Sequence, residues 1–309
     1  MWTGSTNLSL GGIHGQTNVG HWVRNPAIAA QYVRYWELLA SDPGGAAGDT
    51  LLATKAKNAE FEAAVAAMSP MPPNLANVSP GATAVFSPRP TDEVLRAYGQ
   101  LLDSAHAQAC ITLAFTVSPV FKDVLKDNTD QDHLTFLLLE KQDRPDPDKP
   151  AAFVRINASN NVYQAWGAFL RNPVYQWARE TNAGLLGLNK HVSYVHSKFM
   201  LVDPLGGDPV VVTGSANFST ASVKDNDENM LIIRGDRRVA DIYLTEFNRL
   251  FNHYYFRSVT ERLRGSQPSP DQHSLFLAEN TAWLDKYAPG TFRSKRLAIY
   301  TGMTGFRAP

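Results

Sequence analysis

The chain has 309 residues, and its 29 basic side chains balance 29 acidic ones. This length suffices for one large α/β unit or about two domains, each with a sizeable core. Balanced charge gives no electrostatic footprint for a nucleic-acid polyanion, and no apolar run approaches the length of a membrane span. The single cysteine, Cys110, excludes an internal disulfide and favours the cytoplasm only slightly.

Apolar periodicity and turn residues predict the elements in chain order. The first part of the chain is predicted to be helical, at 24–40 and 52–67, and a proline-rich linker follows at 69–73. Beyond it, strands and helices alternate, which is typical of a layered α/β domain. The predicted strands are 83–86, 109–117, 134–141, 151–157, 192–202 and 210–213, and the predicted helices are 92 onwards, 119–126, 161–182 and 239–256.

A cluster of polar residues follows the last two predicted strands. His196 and Lys198 are two residues apart, so in a strand their side chains point to the same face. Ser215 and Asn217 have the same spacing just past the second strand. We therefore expect four polar groups to converge on one spot.

Such a set is suited to holding a tetrahedral oxyanion. Lysine supplies positive charge, serine and asparagine supply neutral donors, and histidine exchanges a proton or acts as a nucleophile. No G-x-S-x-G elbow is present. The acidic cluster at Asp225, Asp227 and Glu228 lacks a histidine pair at metal-ligand spacing. The sequence thus predicts a phosphodiester site that needs no metal or other cofactor.

These residues resemble the phospholipase D superfamily, whose H-x-K-x4-D motif with a trailing G-S-x-N matches the positions listed here: His196, Lys198, Asp203, Gly214, Ser215 and Asn217. The resemblance extends from about 82 to 256 and implies a mixed β-sheet flanked by helices. It also implies an acidic residue that orients the catalytic histidine, expected at Glu228. Strand parity places Asp203 on the face opposite His196 and Lys198, so we interpret it as a structural anchor.

The chain also resembles itself. Residues 3–24 align with 213–234 at a constant offset of 210, which makes Ser5 and Asn7 the counterparts of Ser215 and Asn217. After one inserted residue the offset is 211. Within the stretch at offset 210, Gln16 stands opposite Asn226 and Asn18 opposite Glu228. Trp2, Trp22 and Trp36 could line a lipid-binding cleft, but their periodic placement favours packing in the core.

We predict four segments on this basis: 1–45 as the remnant of a first repeat, 46–81 as a helical linker, 82–258 as a second repeat and 259–309 as a C-terminal extension. Superfamily members with two repeats pack them face to face around a shared active site. The first-copy counterparts of His196 and Lys198 would fall before Met1. We therefore expect the other half to come from a missing first-repeat half or from a homodimer.

The resemblance implies a two-step displacement through a phosphohistidine, with His196 as the general acid and Lys198, Ser215, Asn217, Ser5 and Asn7 binding the phosphate. The favoured function is a phosphodiesterase acting on a phospholipid or another phosphodiester. Two alternatives remain open at this point. One is a nuclease of the same superfamily, and the other is a catalytically incomplete phosphate-binding protein.

Overall fold

The N-terminal part of the molecule is a small strand pair followed by two helices. A computed structural model describes residues 1–72, 74–128, 133–145, 153–167, 194–264 and 280–302. Strands β1 (Trp2–Gly4) and β2 (Gly20–Trp22) pair antiparallel and flank the short helix α1 (Leu10–His14). Helices α2 (Pro26–Ala40) and α3 (Leu51–Met68) follow, close to the predicted bounds.

A seven-stranded mixed sheet forms the centre of the fold. Its strands are β3 (Gly81–Phe86), β4 (Gln108–Leu113), β5 (Leu134–Leu139), β6 (Val162–Trp166), β7 (Phe199–Val202), β8 (Val210–Gly214) and β9 (Asn229–Arg234). Their order across the sheet is β3-β9-β8-β7-β4-β5-β6. The pairs β4–β5 and β5–β6 are parallel and the other pairs are antiparallel. The predicted α/β class with a mixed sheet is confirmed.

Helices cover both faces of this sheet. The remaining helices are α4 (Glu93–Asp103), α5 (Pro119–Leu125), α6 (Thr220–Lys224), α7 (Arg237–Arg264) and α8 (Phe292–Thr301). Alternate residues of β7 enter different cores: Met200 joins the core under α4 and α5, while Phe199 and Leu201 join the core under α2 and α7. Strands β4 and β5 are buried along their whole length, which explains why most of their residues are apolar. In the part of the chain that the structure describes, no helix is both long and apolar enough to cross a bilayer.

Several element predictions were wrong in part. Of the strand predicted over 192–202, the described residues form a strand only at Phe199–Val202, so His196 and Lys198 precede β7. Residues 153–157 form no strand. The segment predicted as a helix over 161–182 contains strand β6 instead, and its residues from 168 onwards lie outside the described residues. The aromatic and β-branched residues of β6 pair with the open edge of β5, from Thr135 to Leu139. This long-range pairing overrides the local helical pattern.

The first strand pair and the β8–β9 pair have the same register. Trp2 pairs with Trp22 as Val212 pairs with Ile232, at an offset of 210 in both strands. Helix α1 matches α6 at that offset, and each is N-capped by a serine, Ser9 or Ser219. The sequence similarity therefore corresponds to an equivalent strand-helix-strand unit.

Asp203 ties the end of β7 to the start of β4. Its carboxylate accepts backbone N–H groups from His106 at 2.8 Å, Ala107 at 2.8 Å and Gln108 at 3.1 Å. Its φ of 44° lies in the left-handed region, which aspartate tolerates better than most residues. The carboxylate also lines a cavity of about 480 Å³ at the end of β7 opposite His196.

We predict that Asp203→Ala destabilises the protein by about 2–4 kcal/mol, because three N–H groups lose their acceptor. Denaturant unfolding measures the effect. Asp208→Ala is the matched control, since the Asp208 side chain is half-exposed and pairs with Arg234 at the surface, and should cost less than about 1 kcal/mol. Equal losses for the two variants would contradict an anchoring role.

Candidate active site

The H-x-K segment lies against the N-terminal part of the chain. Thr17 donates its backbone N–H to the carbonyl of Tyr194 at 2.7 Å, and His196 donates its own to the carbonyl of Thr17 at 3.2 Å. These two bonds form a short parallel bridge between Thr17 and Val195. As a result, the residue after Thr17, Asn18, is placed beside the imidazole.

His196 makes side-chain contacts through both ring nitrogens. Its Nδ1 lies 3.0 Å from Asn18 Oδ1, and its Nε2 lies 2.8 Å from Lys198 Nζ. Lys198 also donates to the carbonyl of His196 at 2.7 Å. Both residues are buried, with 8% of His196 and 2% of Lys198 exposed. Two basic groups are therefore in contact inside the protein.

Burial shifts both basic groups toward their neutral forms. Desolvation and then the charge of Lys198 lower the pKa of His196 to about 4, and a hydrogen bond to the backbone of Ser5 opposes that shift. Desolvation also lowers the pKa of Lys198 to about 7, while the charge of Glu228 opposes it. At neutral pH the imidazole is neutral, and the ammonium gives up its proton more readily than an exposed lysine does.

Glu228 was expected to orient His196, but its side chain does not contact the imidazole. Asn18 holds the Nδ1 of His196. Burial raises the pKa of Glu228, and hydrogen bonds to Ser215 and Asn226 and the charge of Lys198 oppose that shift. The alignment of the two copies identifies Asn18 as the counterpart of Glu228. The alignment does not indicate that Asn18, in the first copy, contacts His196 in the second copy.

The motif serines support the loops that carry these partners. Ser5 Oγ accepts from Val19 N at 3.0 Å and donates to Asn18 Oδ1 at 2.9 Å. Ser215 Oγ accepts from the backbone N–H of Asn229 at 3.0 Å and from its side chain at 3.1 Å. Both serines are thus engaged within the protein, so any phosphate contact would require them to share these bonds.

The two motif asparagines differ. Asn217 is partly buried, and its Oδ1 has no hydrogen-bond partner among the described residues, whereas Asn7 is exposed. Gly214 is required by packing, because a Cβ there would lie 2.1 Å from the carbonyl oxygen of Asn229. The structure therefore joins His196, Lys198 and Asn18 directly. Within the described ranges, no group of three acidic, histidine or cysteine residues is placed to hold a metal ion.

Known proteins share parts of this chain. Residues 99–251 match a family model described as the PLD-like domain of cardiolipin synthase. Mitochondrial cardiolipin hydrolase from Canis lupus familiaris is 33% identical over 66 residues, which are 21% of this chain and 24% of that protein. The Homo sapiens protein of the same name is 38% identical over 61 residues, 20% of this chain and 22% of that one. The chain thus spans about a quarter of the length of the curated relatives it matches.

Among solved structures, a phospholipase D family member, Nuc from Salmonella typhimurium, is 18% identical with a TM-score of 0.38. The match covers 56% of this chain and 95% of Nuc. The chain belongs to the phospholipase D superfamily.

We predict that the imidazole of His196 titrates near pH 4 in an NMR experiment and that Lys198→Met raises this midpoint, because a neighbouring positive charge is removed. Folding stability should fall as pH decreases from about 6.5 to about 4, since the unfolded chain binds a proton that folded His196 does not. Lys224→Met, the same change on α6, is the control. An unchanged midpoint in Lys198→Met would contradict the contact.

Proposed function

We propose that this chain contributes one histidine-bearing half of a phosphodiesterase that cleaves a phospholipid through a phosphohistidine intermediate. The observation that carries the proposal is the buried contact between Lys198 Nζ and His196 Nε2. Two basic groups are unfavourable neighbours in a dry interior unless an anion joins them. A phosphodiester supplies that charge and raises the pKa of both groups.

The chemistry divides between two imidazoles. One attacks phosphorus and forms an N–P bond, while the other donates its proton to the oxygen of the leaving alcohol as the O–P bond breaks. Water then cleaves the N–P bond and returns the proton. We assign the acid role to His196, because a group with a lowered pKa releases its proton readily once the phosphate has favoured its protonation. Lys198 stabilises charge on the non-bridging oxygens.

A phospholipid is the proposed substrate on two grounds. The net charge of zero offers no polyanion footprint for nucleic acid, and the curated relatives are named as hydrolases of cardiolipin, a phospholipid. A nuclease and a phosphate-binding protein without turnover are the competing outcomes of the test below.

The other half of the site is proposed to cover an apolar surface on the N-terminal part. Large apolar side chains are exposed there, and we call the following set the N-terminal apolar face: Trp2, Leu8, Ile13, Trp22, Val33 and Trp36. The prediction that the three tryptophans pack in the core is therefore wrong for this chain. Their counterparts in the second copy are all buried, as Val212, Phe218, Val223, Ile232, Leu244 and Phe247.

Backbone pairing and charge suggest what covers this face. In the described chain β1 pairs only with β2, whereas the equivalent β8 also pairs with β7, the strand that follows the H-x-K segment. Asn18 contacts His196, but its counterpart Glu228 contacts no imidazole among the described residues. We propose a second phospholipase D-like half that adds its own H-x-K strand beside β1 and brings its histidine to Glu228.

Cleavage of three phosphodiesters is measured with this chain alone and with this chain combined with any complementing half that is identified. We expect cleavage of phospholipid vesicles to exceed cleavage of single-stranded DNA, with bis(p-nitrophenyl) phosphate as an activated reference. His196→Ala should lower turnover by about 10²–10⁴-fold, the usual contribution of a general acid or base.

His253→Ala is the matched control, because His253 is an exposed histidine on α7. Equal activity in His196→Ala and His253→Ala would remove His196 from the mechanism. Preferential cleavage of DNA would favour the nuclease, and phosphate binding without turnover in the completed protein would favour the binding protein.

The N-terminal apolar face yields a paired prediction. Trp22→Ser and Trp36→Ser should leave the free energy of unfolding of this chain within about 1 kcal/mol, because both side chains are about two-thirds exposed. The counterparts Ile232→Ser and Phe247→Ser should cost at least about 3 kcal/mol, because both are fully buried.

Chemical denaturation measures the free energy of unfolding of all four variants, and sedimentation measures their oligomeric state. Large losses in Trp22→Ser and Trp36→Ser would mean that this chain already covers the face. A dimer that dissociates in these two variants would identify a second copy of the chain as the occupant, in place of a different phospholipase D-like half.

A further inference from the structure

Asn18 is fixed in one orientation by two neighbours, Gly12 and Ser5. Its Nδ2 donates to the carbonyl of Gly12 at 2.8 Å, a group that only accepts. Ser5 Oγ receives the N–H of Val19, so its own proton is directed to Asn18 Oδ1 at 2.9 Å. The atom that faces His196 is therefore the amide oxygen.

An oxygen at this place determines the tautomer of the imidazole. Asn18 Oδ1 has no proton to give, so the 3.0 Å contact requires a proton on His196 Nδ1. The lone pair of the neutral ring is then on Nε2, where Lys198 Nζ lies at 2.8 Å. The reactive nitrogen of His196 is thereby directed to the phosphate-binding side.

The amide also differs from its counterpart in charge. At the equivalent place in the second copy stands Glu228, a carboxylate, whereas Asn18 is neutral. A carboxylate in contact with an imidazole favours the charged ring and commonly raises its pKa by about 1–3 units. A neutral amide orients the ring without providing that charge.

We propose that Asn18 is a positioning residue that fixes the Nδ1–H tautomer of His196 and, because it is neutral, keeps the imidazole uncharged in the resting protein. The role in turnover rests on the proposed function, but the effect on the ring does not. The other charged groups that face this segment are Lys198, Glu228 acting on Lys198, and Glu140, which accepts the backbone N–H groups of Tyr194 and Val195. None of them contacts Nδ1.

The experiment follows the ring nitrogens of His196 by NMR in the full chain. The wild-type protein should show the Nδ1–H tautomer above the titration midpoint. Asn18→Asp should raise the protonation constant of His196 at least tenfold and keep that tautomer, since the carboxylate accepts the same proton. Asn18→Leu should weaken the tautomer preference, and the hydrogen bond to the backbone of Ser5 would account for any preference that remains.

Asn25→Asp is the matched control. Asn25 is the N-cap of α2, a position that aspartate also fills well, and its change should leave His196 unaffected. Two results would overturn the proposal: the Nε2–H tautomer in the wild-type protein, or a midpoint in folded Asn18→Asp that matches the wild type. The tautomer of His196 in the wild-type protein tests the proposal even if a variant does not fold.

Activity is measured in parallel and separates the two proposals. In an active completed protein, Asn18→Asp should move the pH limb that reports His196 to higher pH by the same factor that NMR records. The expected NMR result without activity on any phosphodiester would remove the proposed function and leave Asn18 as the positioning residue.

Discussion

The contact between Lys198 and His196 is the interaction on which the site depends. Bringing an ammonium and an imidazole to 2.8 Å in a buried place is unfavourable. Burial is the main cause that lowers the pKa of both groups, and the charge of Lys198 lowers that of His196 further. The surrounding sheet must therefore hold Lys198 and His196 in contact. Strand β7 follows directly, lies between β4 and β8, and is buried on both faces. A central strand cannot shift its register without moving a whole apolar set to the wrong face, so the two basic groups stay together.

A second property of the fold is the use of one strand-helix-strand unit twice. In each copy the first strand ends in a glycine whose hydrogen approaches a backbone oxygen, Val19 for Gly4 and Asn229 for Gly214. In each copy a serine then receives the N–H at the start of the next strand segment. The units differ where they meet the site, at Asn18 and Glu228. The two copies therefore share a backbone frame but place a neutral amide in one and a carboxylate in the other.

Much of the fold was predictable from sequence, and the reasons are physical. Helices α2, α3 and α5 and strand β5 follow local periodicity and turn residues, so their bounds lie within a few residues of the predicted ones. Strand β6 was missed because its pairing with β5 is a long-range effect that local pattern does not contain. The motif residues were found because H-x-K and G-S-x-N are local spacings. The exposure of the tryptophans could not be predicted, because periodicity indicates an apolar face but not what packs against that face.

The partner of His196 shows the same limit. Asn18 stands 178 residues away in the chain, and no local pattern links the two. Closing a loop of this length costs entropy that the contact itself does not offset. The orientation of the imidazole therefore depends on the strands that pair between the two residues. A change that loosens the sheet far from the site should disturb the ring as well.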